Sequence, residues 1–80
     1  MNKLRPVAVV DARTYRIACR RVDDLLEIGE TTRAHFAVTS IREWLRSEAR
    51  TGSHRRRVKR AAQLEQWELR AAEIAREVFR

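Results

Sequence analysis

From Ser53 to Arg80 the chain runs without a glycine or a proline. Within this stretch Leu64, Trp67, Ala71, Ile74 and Val78 recur at alternating spacings of three and four, the period of one helical face. The spacing predicts one long helix over 53–80, with Ser53 placed to accept from the free amides of its first turn. Such a helix spans roughly 40 Å, whereas a domain of this size is on the order of 30 Å across. Followed toward the N-terminus, the apolar stripe runs into Arg60, Arg57 and Arg56. Three guanidiniums cannot be buried there without partners. The expectation is that the packed body ends near residue 61 and that the basic turns project past it.

The rest of the chain supplies what packs on that seam. Asp11 stands as a cap before Tyr15, Ala18, Cys19, Val22, Leu25 and Leu26, which share a helical face, and Gly29 stands where a helix of this register stops. A helix over 11–28 follows. Residues 31–39 carry two periods at once. Ala34, Phe36 and Val38 alternate as in a strand, while Ala34, Val38, Ile41 and Leu45 fall on a helical face. Ser40 and Glu43 match a capping box, which predicts a helix from Ile41 to about Arg50, halted at Gly52. Pro6, followed by Val7, Val9 and Val10, predicts an extended arm or edge strand over 1–10. The expected fold is all-α and a single domain over 1–80. Two shorter helices pack on the long C-terminal helix, with the N-terminal arm beside them. The alternative is α+β, with a small N-terminal sheet from strands near 3–10, 14–20 and 31–39.

Charge narrows the function. The chain holds 18 Lys+Arg against 11 Asp+Glu, a net charge of +7. Residues 53–60 alone contribute five cations and no acid. Two glycines in 80 residues leave no Gly-rich phosphate loop. Cys19 has no second cysteine, and His35 and His54 have no companion ligand at metal spacing, so no metal site and no cofactor are expected. No acid, base and nucleophile converge in the pattern. No catalytic residue is predicted, and the chain is not expected to be an enzyme. Pro6 to Val10, the longest apolar run, is too short for a signal-peptide core or a membrane span. A cytoplasmic protein with no membrane partner is expected.

The basic turn is costly where it stands. Cations in the first turn of a helix oppose its dipole by about 0.3–1 kcal/mol each at low salt, so folding alone would place them in the last turn. A polyanion supplies the missing counter-charge, and the guanidinium fork suits phosphate. The sequence therefore predicts a small nucleic-acid-binding regulatory protein whose contacts are Arg55, Arg56, Arg57, Lys59 and Arg60. The segment His54-Arg55-Arg56-Arg57-Val58-Lys59-Arg60-Ala61, followed by Gln66-Trp67, resembles the arginine-rich RNA-binding motif of lambdoid phage N-type antiterminators. In that family a short basic helix grips an RNA hairpin and a tryptophan stacks on a loop base. The resemblance implies RNA ahead of duplex DNA, with Trp67 as the stacking residue. The same Trp67 lies in the apolar seam, which makes it a core residue on the alternative reading.

Two other functions fit the same features. A compact phage-type effector would dock on an acidic surface of a host protein complex, with Val58 and Leu69 as exposed anchors beside the arginines. A helical homodimer acting as a scaffold is the third.

Overall fold

A computed structural model describes residues 7–79 of the chain. Three helices follow one another: α1 over Ala12–Glu27, α2 over Thr31–Glu48 and α3 over His54–Val78. The all-α expectation holds, and no strand occurs among the described residues. The segments 14–20 and 31–39, the candidate strands of the α+β alternative, lie inside α1 and α2. Of the expected arm, residues 1–6 lie outside the described part of the chain. Residues 7–10 are neither helix nor strand, and Val7 and Val9 pack against the core.

The local chemistry fixes two helix starts where the sequence placed them. The Asp11 side chain accepts from the Thr14 amide at 2.8 Å while the Thr14 hydroxyl accepts from the Asp11 amide at 3.0 Å, a reciprocal box at the start of α1. These bonds hold the Asp11 carboxyl below its ordinary range. Ser53 Oγ caps α3 through the Arg56 amide. At the end of α1, Gly29 takes φ 81°, its amide donates to Leu26 O, and the Glu30 amide donates to Leu25 O. This paired closure needs a residue with positive φ, where a side chain is strained.

One helix differs from expectation. The Ser40–Glu43 box does not start a helix, because α2 already begins at Thr31 and Ser40 lies in its middle. Ala34, Val38, Ile41 and Leu45 are all buried on one face of α2, so the helical period prevails over the strand alternation. Burying that face against two neighbours outweighs the local cap.

The three helices run up, down and up. Tyr15 stacks on Trp44 with ring centroids 5.2 Å apart, and Arg56 of α3 pairs with Glu48 of α2 at 3.0 Å. At the other end His35 of α2 meets Phe79 of α3, centroid to centroid at 5.4 Å. The starts of α1 and α3 therefore share one end of the molecule with the finish of α2. The backbone extents are 38 × 31 × 14 Å. Helix α2 packs closely on both neighbours. The α1 and α3 backbones stay farther apart, and the long side chains of Tyr15, Trp67, Asp23 and Arg70 bridge the gap between them. The core comprises Ala18, Val22 and Leu25 of α1, the four α2 residues above, and Trp67, Ala71 and Ile74 of α3.

Candidate nucleic-acid interface

The basic turn does not project freely past the body, as the sequence predicted. The last turn of α2 lies alongside the first turn of α3, where Glu48 pairs with Arg56 at 3.0 Å, and of the described basic residues only Arg60 is buried. Arg60 is 9% exposed. Its guanidinium carbon lies 4.7 Å from the Trp44 ring centroid and 5.8 Å from that of Tyr15, and its Nη1 donates to Gln63 Oε1 at 2.9 Å. Its Nε is buried without a hydrogen-bond partner. The negative faces of two aromatic rings attract the guanidinium and offset part of the cost of burying it. Arg60 is therefore a packing residue in this fold, and its expected role as a nucleic-acid contact is corrected on that ground.

Trp67 is likewise internal. It is 7% exposed, its indole Nε1 donates to the Tyr15 hydroxyl at 3.0 Å, and the Arg70 guanidinium lies 4.9 Å from its ring centroid. A ring so placed has no free face for a base, so the stacking role implied by the resemblance is not available to it. Burial pushes the Tyr15 phenol and the Cys19 thiol above their ordinary values, although the Trp67 bond partly opposes the shift at Tyr15.

The remaining predicted contacts lie outside. His54, Arg55, Arg56, Arg57, Val58 and Lys59 are all exposed. Arg56 gives one Nη to Glu48 and bends back across Gly52, where an added Cβ would meet its Cδ at 3.2 Å. Arg55, Arg57 and Lys59 have no acidic partner among the described residues. Ser53, Arg55, Arg56, Lys59 and Arg60 line an open cleft along this turn.

Several other acids pair away from the patch. Glu68 takes Arg42 at 2.9 Å and Arg46 at 3.0 Å, and the Arg42 bond holds its carboxyl below the usual range. Asp23 takes Arg70, and Glu30 sits 3.8 Å from Arg33. A second group of cations, Arg13, Arg16 and Arg20 on α1, is exposed and also without an acidic partner among the described residues. Sequence reasoning missed it because these arginines are diluted by the acids that follow them in the same helix. The signal was their spacing of three and four, which puts them on one stripe.

Among the described residues no three His, Cys, Asp or Glu side chains converge as metal ligands, and no helix is long and apolar enough to cross a membrane. Comparison with protein-family models, curated proteins and solved structures returned no match.

Proposed function

We propose that this chain is a small nucleic-acid-binding regulatory protein that grips phosphates with the exposed first turns of α3. The observation that carries the reading is the set of unpaired cations Arg55, Arg57 and Lys59 on a helix N-terminus, where they are unfavourable for folding and useful to an anion. Arg56 joins them when its guanidinium leaves Glu48 for a phosphate. The expected preference for RNA depends on an exposed stacking ring, and the burial of Trp67 removes that support. The contacts that remain are to phosphate, which carries little sequence information.

The test is the triple variant Arg55→Gln, Arg57→Gln, Lys59→Gln, titrated against a DNA duplex and an RNA hairpin across a salt series. Losing three contacts on duplex should flatten the log–log salt dependence by about 2.7, with a thermal melt equal to or above wild type, since cations at a helix start oppose its dipole. Unchanged affinity in a folded variant would overturn the proposal.

A protein partner is the second reading. It is favoured by Val58 and Leu69, which are 54% and 66% exposed on the outer side of α3. A wild-type titration that stays flat at low salt would select it.

A further inference from the structure

The two groups of unpaired cations occupy different helices, yet the packing sets them along one seam. Arg60 and Trp67 of α3 both meet Tyr15 of α1, while Arg70, further along α3, reaches Asp23, further along α1. The helices α1 and α3 thus run in the same direction, with the Asp23–Arg70 pair crossing between them.

Helical period then places the cations. On α1, Arg16 and Arg20 lie seven and three residues before Asp23, on the stripe that faces α3. On α3, Lys59 and Arg55 lie eleven and fifteen residues before Arg70, on the stripe that faces α1. With Asp23 and Arg70 level, Arg20 stands three residues behind the crossing point, Arg16 seven, Lys59 eleven and Arg55 fifteen. At 1.5 Å per residue the four cations follow one another at steps of about 6 Å, over roughly 18 Å. Each bank also shows an open depression, lined by Arg16, Ile17 and Arg20 on α1 and by the basic-turn cleft on α3.

We infer that the binding surface is this composite track, begun by α3 at Arg55 and Lys59 and continued by α1 at Arg16 and Arg20, and that its ligand is the phosphodiester backbone of a duplex. The inference rests on the nucleic-acid reading above and adds α1 to it. A regular line of cations matches a regular line of phosphates. Tyr15, Trp44 and Trp67, the aromatic rings nearest the track, are engaged with one another and with Arg60, so the track offers no platform for unstacked bases. A duplex presents its backbone at the higher charge density.

The experiment compares three double variants with wild type, all checked for folding by circular dichroism. They are Arg16→Gln/Arg20→Gln, Arg55→Gln/Lys59→Gln, and a charge-matched control at the opposite end, Arg33→Gln/Arg76→Gln. Each is titrated by fluorescence anisotropy with a short DNA duplex and with one of its separated strands. The expected result is that the first two lose duplex affinity alike, on the order of 50-fold near 0.1 M salt, with salt slopes lower by about 1.8. The control stays near wild type, and the duplex binds more tightly than the strand. If the α1 variant binds like wild type while the α3 variant is weakened, the composite track is wrong and the nucleic-acid reading survives. If the control weakens equally, only net charge is at work and the track is wrong. If the single strand binds more tightly, the duplex assignment is overturned. If wild type binds neither probe, both proposals fall together.

Discussion

Arg60 occupies a position that a helical wheel assigns to the core and that its charge assigns to solvent. The fold reconciles the two by laying the guanidinium over Trp44 and Tyr15 and covering the stem. Replacing Arg60 with Met keeps the packing and removes the charge. We expect it to destabilise the domain by about 1–2 kcal/mol, in line with a desolvated cation–ring contact, while the salt slope of nucleic-acid binding stays unchanged. A flattened slope with an unchanged melt would return Arg60 to the interface. Tyr15 offers a second check, because it is the only tyrosine in the chain. Burial raises its phenol above 10.0, so an ultraviolet titration of phenolate should have its midpoint above that value. Since the folded group holds its proton more tightly than the unfolded one, its share of stability is full below pH 10 and fades as pH rises toward the folded midpoint. A midpoint at or below 10.0 would mean that Tyr15 is not enclosed as described. The core position of Trp67 was legible in the three-and-four seam. Its bond to Tyr15 was not, because the partners are 52 positions apart and nothing local couples them.

Single elements were legible to the extent that their own ends defined them. Asp11, Gly29, Gly52 and Ser53 mark boundaries that local hydrogen bonding and positive φ enforce, and all four stand where the sequence placed them. The start of α2 had no such mark, since Glu30 makes no side-chain cap. The strongest capping signal nearby, Ser40 with Glu43, lay inside the helix. What extends α2 back to Thr31 is the burial of Ala34 and Val38 against neighbours that no local window contains. This difference is measurable. Ser53→Ala should cost about 1 kcal/mol by removing a cap, whereas Ser40→Ala should be neutral or slightly stabilising, since Ala favours a helix interior. Comparable losses at the two sites, read by chemical denaturation, would contradict a continuous α2. The end of α2 lies where the sequence placed it, to within two residues, and there Glu48 reaches Arg56 across the turn at Gly52.

At the scale of the molecule, charge sorts by position along the bundle. Arg13, Arg16, Arg20, Arg55, Arg57 and Lys59 lie where α1 and α3 begin, while Asp24, Glu27, Glu73 and Glu77 lie in the opposite half. That sorting was not legible from net charge, which averages the two ends. It emerges only once the up-down-up order places sequence-distant segments side by side. Association with a duplex, followed by stopped flow, should slow steeply as salt rises, while dissociation changes less. An association rate indifferent to salt would argue against a concentrated cationic end. The shared direction of α1 and α3 has a consequence for the approach itself. Two helix dipoles point their positive poles toward the cationic end and only one opposes them. In the field of a polyanion the molecule therefore feels a torque as well as an attraction. If the proposed duplex is the ligand, the molecule would turn before it touches, with the cationic end leading, and the orientational search that slows ordinary docking would be shortened.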